Sequence, residues 1–168
     1  MVIALTRNAN RIRSTILILA AAAMAAAAVH LRADEPYARN RDYDLQHSKI
    51  ALRFDVEQKK VIGEVTHTLT ILREGAPKVA FDSVGLTIQT VTVNKAPAKF
   101  ESTASKLIVP LPAVAHSGDK FDIDIRYEGK PAKGLYFILP DKDYPNRPKQ
   151  IWTQGESEDT RYYLPTYD

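Results

Sequence analysis

Apolar and polar residues alternate with a period of two along most of the chain from Tyr43 onward. Ile50, Leu52, Phe54 and Val56 alternate with Ala51, Arg53 and Asp55, which predicts a strand with one wet face. A charged turn over 57–60 follows. Val61, Val65, Leu69 and Ile71 then alternate with Glu64, Thr66, Thr68 and Thr70, so a second strand returns as a hairpin. Gly63, inside that strand, predicts a bulge or a close backbone approach. Gly75-Ala76-Pro77 breaks the run, and 78–82 reads as a short strand. Leu86, Ile88, Val91 and Val93 form another, with a phase slip at Gln89-Thr90 that predicts a bulge. A turn is expected over 94–97, with 98–101 pairing back across it. Residues 107–111, bounded by Pro110 and Pro112, read as a short or edge strand. Beyond the turn at Ser117-Gly118-Asp119, Phe121, Ile123, Ile125 and Tyr127 alternate with Asp122, Asp124 and Arg126, the cleanest strand pattern of all. A short apolar stretch over 134–138, a Pro-rich polar loop over 140–149 and an extended piece over 151–153 complete the series. No stretch in this part of the chain has the 3.6-residue repeat of a helix. Short strands with regular turn signals predict an all-β fold, an antiparallel β-sandwich or related open sheet.

The first residues follow a different pattern. Residues 1–13 are basic, and 14–29 are uncharged and rich in Ala. This is the layout of a cleavable secretory signal peptide, here residues 1–33, with cleavage expected after Ala28 or Ala33. The uncharged run is shorter and less apolar than the ~20 residues of a membrane span, so no stable span is expected. Arg11 and Arg13 are not adjacent, so a twin-Arg route is not indicated. The polar residues 34–42 read as a flexible lead-in, and 43–168 as the folded domain. Such a leader predicts an exported protein, periplasmic or extracellular.

Charge then changes meaning. The formal net charge is +3, but Arg7, Arg11, Arg13 and Arg32 all fall in the leader. The remainder is close to neutral and has no basic stripe with interleaved aromatics, so nucleic acid is not an expected partner. The chain has no Cys, which excludes disulfides, thiolate metal sites and a Cys nucleophile. Its stability must come from an ordinary hydrophobic core.

The four His residues (His30, His47, His67, His116) are not in metal-ligand spacing, and no metal or cofactor is expected in this chain. No nucleophile elbow or phosphate-binding loop is present. The carboxylate pairs Asp122/Asp124 and Asp141/Asp143 read as solvated surface. The closing stretch is richer: W-T-Q-G-E-S-E-D-T-R-Y-Y-L-P-T-Y-D, from Trp152 to Asp168, holds the only Trp. Gln154 and Glu156 are two apart and would share a side of extended backbone, suited to gripping a ligand ammonium by short charge-assisted bonds. The competing account is a helix start, with Ser157 as N-cap, Glu158 and Asp159 favoured by the helix dipole, Arg161 paired with Glu158, and Pro165 as the stop.

G-L-Y-F-I (134–138) followed by that closing stretch resembles the N-terminal domain of the aminopeptidase N / leukotriene hydrolase family of zinc metallopeptidases. The opening Y-D-L-Q-H-S-K-I-A-L-R-F-D (43–55) and V-I-G-E-V-T (61–66) are similar to that family's first hairpin. The resemblance implies a twisted, saddle-like β domain that packs on a thermolysin-like catalytic domain. It implies that Glu156 binds the free α-ammonium of a peptide substrate and that Gln154 lines the first substrate pocket. It places the zinc ligands, the general base and the oxyanion-stabilising Tyr in the catalytic domain, whose motifs would follow Asp168. Thr166 departs from the pattern, which often has Cys there. Without zinc ligands the chain is not expected to hydrolyse peptides alone, and it reads as a fragment from a truncated gene, a split gene or an excised domain. The exposed face meant for the catalytic domain is expected to promote self-association. The alternatives are a stand-alone β-sandwich interaction module and a non-functional truncated product.

Overall fold

The computed structural model describes residues 41–168. The expected signal peptide and all but the last two residues of the lead-in lie outside them. Those two, Arg41 and Asp42, are already engaged: the Asp42 carbonyl accepts the Leu72 amide at 2.9 Å, and the Arg41 guanidinium lies over the Tyr167 ring at 5.1 Å.

The alternation produces an all-β, antiparallel fold. β1 (Tyr43–Asp55) and β2 (Lys60–Ile71) form the expected hairpin, with Ile50 opposite Val65 and Phe54 opposite Val61. β2 pairs on its other side with β8 (Lys120–Gly129), which pairs with β4 (Leu86–Val93), and the two-residue β5 (Ala96–Pro97) closes the order β1-β2-β8-β4-β5. Odd-numbered residues of β2 and β8 face inward. Val61, Val65, Leu69, Ile71, Ile123, Ile125 and Tyr127 are all buried. On the outer face Thr66 and Thr92 donate to Asp124 at 2.6 and 2.8 Å, and Thr68 donates to Asp122 at 2.6 Å. The Gln89 bulge is present as a register shift between Ile88 and Thr90.

A second sheet has the order β3-β7-β6, from β3 (Ala76–Asp82), β7 (Lys106–Ala115) and β6 (Glu101–Ser102). β7 runs straight through Pro110 and Pro112, longer than the sequence predicts. Its pairing with β6 ends at Ile108, and its register with β3 breaks just beyond Pro110, so both prolines stand where the ladder is thinning. The pairing back expected of 98–101 is made earlier. Ala96 and Pro97 face Val93 and Thr92, and the Ala98 amide donates to the Val91 carbonyl at 2.9 Å. Glu101 instead joins the other sheet.

Both sheets contribute to one core, in which Val79, Phe81, Leu107 and Val109 of the smaller sheet join Val65, Leu69, Ile123 and Ile125 of the larger. Gly63 makes no bulge. It keeps register with Leu52 and Tyr127, and a Cβ there would lie 2.2 Å from Cζ of Tyr127. The glycine is the space into which that ring packs, so the close-approach alternative is the correct one. β1 departs from the expected single wet face: Ile50 and Phe54 are exposed despite their apolar character. They stand at the sheet margin, where the smaller sheet no longer covers them.

Candidate functional site

The closing stretch starts from a second hairpin. β9 (Leu135–Ile138) and β10 (Gln150–Thr153) pair with Tyr136 opposite Trp152 and Phe137 opposite Ile151. Opposite residues share a face. Phe137 and Leu135 face inward, with Leu135 buried and the Phe137 ring edge-on to Phe54 at 6.1 Å. Tyr136 and Trp152 stack outward at 4.7 Å, with Trp152 half exposed. The ladder continues one step, as the Gln154 amide donates to the Gly134 carbonyl at 2.8 Å. Gln154 thus follows Trp152 by two on the same outward face. Tyr136 is absent from the sequence-derived site, although pairing 134–138 with 151–153 across the Pro-rich loop would have placed it beside Trp152.

Glu156 lies just past the ladder, in the turn that opens there. The strand proper ends at Thr153, two residues before Gly155 opens the turn. Gln154 and Glu156 are both exposed. Neither side chain has a hydrogen bond or ion pair among the described residues.

The turn is fixed on both flanks. The Asp159 amide donates to the Gly155 carbonyl at 3.0 Å. Gly134 has a φ of +75, and a Cβ there would meet the Asp159 carbonyl oxygen at 2.0 Å. Only glycine supports that crossing. The expected helix over 157–163 shrinks to a single 3-10 turn, Thr160–Tyr162, with Asp159 at its N-cap position and no side-chain cap. Ser157 is exposed and does not cap. Between Gly155 and Pro165 there is too little chain to repay helix nucleation, and the segment gains its bonds from the sheets instead.

Those bonds are numerous. Asp82 and Thr166 exchange backbone hydrogen bonds at 2.6 and 3.0 Å. The Asp82 carboxylate is almost wholly buried and takes the Lys106 ammonium at 2.5 Å and the Asp168 amide at 3.1 Å, with the Arg161 guanidinium 3.9 Å away. Asp168 in turn accepts the Arg161 amide at 2.9 Å. Arg161 also pairs with Glu158, as the sequence predicts. Tyr127 donates to the Tyr163 carbonyl at 2.9 Å, and burial pushes its phenol pKa up. His67, expected to be structural, is fully buried between the Ser48 hydroxyl and the Pro165 carbonyl. Burial lowers its pKa, and the bond to Pro165 opposes that shift.

A cleft of about 460 Å³ beside the turn is lined by Val84, Ser105, Glu158, Arg161 and Tyr162, and it includes neither Gln154 nor Glu156. Among the described residues no three His, Cys, Asp or Glu side chains gather to hold a metal ion. No helix among them is long and apolar enough to cross a membrane.

A family model of the peptidase M1 N-terminal domain matches residues 41–168. The chain belongs to this family. Solved structures similar to this M1 N-terminal domain include an M1 zinc metallopeptidase from Deinococcus radiodurans, 25% identical with a TM-score of 0.62 over 76% of this chain and 29% of that one. A mutant M1 zinc metallopeptidase from the same organism, bound to a Tyr-Ser-Ala substrate, is 23% identical with a TM-score of 0.61 over 76% of this chain and 30% of that one. A yeast leukotriene A4 hydrolase in complex with bestatin is 19% identical with a TM-score of 0.66 over 82% of this chain and 24% of that one. The M1 N-terminal domain described here thus spans less than a third of the length of these relatives. No curated protein matches the chain.

Proposed function

We propose that this chain is the N-terminal domain of an exported zinc-dependent aminopeptidase, in which it receives the amino end of the peptide. Glu156 binds the substrate α-ammonium, and Gln154 lines the pocket for the first side chain. One observation carries the reading: on a segment whose neighbours are pinned by buried bonds, these two polar side chains are left uncommitted. An exposed carboxylate on a braced turn can take a cation without first breaking a bond of its own.

The described residues do not fit a zinc site, so no step is derived through zinc. In this reading zinc, the general base and the oxyanion donor reside in a catalytic metallopeptidase domain, and membership of the M1 family and likeness to M1 zinc metallopeptidases support that division. Export rests on the leader over 1–33, and sequencing the mature N-terminus from the periplasm or medium tests it.

The recognition role is tested by joining the domain to its catalytic domain and comparing Glu156→Ala with wild type. The kcat/KM for peptides with a free N-terminus is expected to fall by an amount on the order of 2–5 kcal/mol, the cost of leaving a covered ammonium unpaired. N-acetylated peptides, which lack the charge, should respond far less. An unchanged kcat/KM for free peptides would sink the assigned role.

A further inference from the structure

β1 is the terminal strand of the five-stranded sheet, and no described residue pairs with its outer edge. It is thirteen residues long, and its register with β2 is unbroken from His47 to Asp55. Long free edges of this kind are templates for another strand, and soluble proteins blunt them with proline, bulges or inward-pointing charge. The stretch from His47 to Asp55 has no proline, bulge or inward-pointing charge, and the charges on its outward face, Lys49, Arg53 and Asp55, are of both signs. Its inward positions are Ile50, Leu52 and Phe54, and Ile50 is 46% and Phe54 38% exposed while their β2 partners Val65 and Val61 are buried. The core face therefore continues past the last fully covered row, where Phe54 meets the edge of Phe137 and is otherwise open to solvent.

The sequence of the edge is complementary to itself. Turned antiparallel about Leu52, it sets Ile50 opposite Phe54, Phe54 opposite Ile50 and Leu52 opposite Leu52. On the other face Lys49 falls opposite Asp55 and Asp55 opposite Lys49. Arg53 meets Ala51, whose methyl leaves the long side chain room. Aromatic-with-β-branched and opposite-charge pairs are the combinations that stabilise cross-strand contacts. Shifting the axis to Ala51 sets Lys49 against Arg53, a like-charge pair, and shifting it to Arg53 sets Lys49 against Glu57, which lies beyond the end of β1 and is already paired with Lys149. Lys49 has no ion pair among the described residues. Asp55 accepts the Gln58 amide through one carboxylate oxygen at 3.0 Å, which leaves the other for a partner.

We propose that β1 pairs with β1 of a second copy of this chain, antiparallel about a two-fold axis at Leu52, joining the two five-stranded sheets edge to edge. Such an interface is isologous and closes at two copies. It does not depend on the aminopeptidase reading, because neither Gln154 nor Glu156 takes part.

Sedimentation of the full chain over a concentration series tests the pairing. A monomer–dimer equilibrium is expected. Lys49→Asp places two acids opposite each other twice per dimer and should weaken dimerisation about tenfold or more. Asp55→Lys should do the same, and the double variant Lys49→Asp/Asp55→Lys should restore it. Circular dichroism melts of each variant check that the fold survives, and Lys49, exposed and without an ion pair, is the substitution expected to leave it intact. A chain that stays monomeric into the hundreds of micromolar overturns the proposal. So does association that the single reversals leave unchanged, or that the double variant fails to restore, because either result assigns it to another surface.

Discussion

His67 and Pro165 are 98 positions apart in the chain and 2.7 Å apart in the fold. A carbonyl only accepts, so the proton sits on Nε2, and Nδ1 is left to accept from the Ser48 hydroxyl at 2.8 Å. The ring also stacks on Phe81 at 5.0 Å. One neutral imidazole thus ties β1, β3 and the closing segment together.

That tie predicts acid sensitivity. The folded pKa of His67 lies below 6.5, first because burial disfavours the cation. Above about pH 6.5 the ring is neutral in both folded and unfolded chains. As pH falls below that value the unfolded chain takes up the proton while the folded one resists, so stability falls with pH down to the folded pKa. His116, paired with Glu74 and so raised in pKa, has the opposite sign, its contribution being present at low pH and lost as pH rises. Both partners of that pair are exposed, so salt screens it. In moderate salt the melting temperature should drop between pH 7 and pH 5, and His67→Gln should lower it at pH 7 while flattening the slope. An unchanged slope in His67→Gln would show that another group sets it.

Asp82 is the hub of the closing segment. Asp82→Ala removes the buried partner of Lys106 and of the Asp168 amide at once, and should cost about 3–5 kcal/mol. Chemical denaturation measures the loss. Amide exchange over 160–168 should accelerate well before the β2–β8 ladder does, because the segment loses its clamp while the sheets keep theirs.

Gly63 and Tyr127 form a matched pair. Gly63→Ala drives a methyl into the Tyr127 ring and should destabilise by about 1–3 kcal/mol. Tyr127→Phe keeps the ring but strands the Tyr163 carbonyl, and should cost about 1–2 kcal/mol. The two substitutions should not add in a double-mutant cycle, since the methyl of Gly63→Ala meets the end of the ring that carries the hydroxyl removed in Tyr127→Phe.

Gly134→Ala should act at a distance from the sheets. The new Cβ collides with the Asp159 backbone and the residue must hold a positive φ, so the turn carrying Glu156 has to move. A loss of more than 1 kcal/mol is expected from strain alone. Tryptophan emission should change too, because Trp152 sits on β10, whose ladder with β9 is extended by the Gln154–Gly134 bond.

Much of this was legible in the sequence because a period of two is a strong local signal. Phe121, Ile123, Ile125 and Tyr127 gave β8 its inner face, and the slip at Gln89 gave the bulge. β7 was underestimated because Pro110 and Pro112 read as strand ends, and they are tolerated where its pairing with β6 and β3 thins. The reading of 157–163 as a helix failed for a related reason. Ser157, Glu158 and Asp159 have the right local chemistry, but Arg161 and Asp168 find Asp82, which no local window contains. Gln154 and Glu156 could be singled out by residue type and by resemblance. What braces them, through Gly134, His67 and Asp82, is a matter of contacts between distant parts of the chain.

The braced turn between Gln154 and Thr160 separates two tasks that proteins often have to trade against each other. Residues that secure the scaffold sit on either side of it, and the exposed Glu156 and Ser157 take no part in securing it. The side chains at 156 and 157 can therefore be replaced, by selection or by design, at little expense in folding stability. Changes at the supporting residues would move the whole turn.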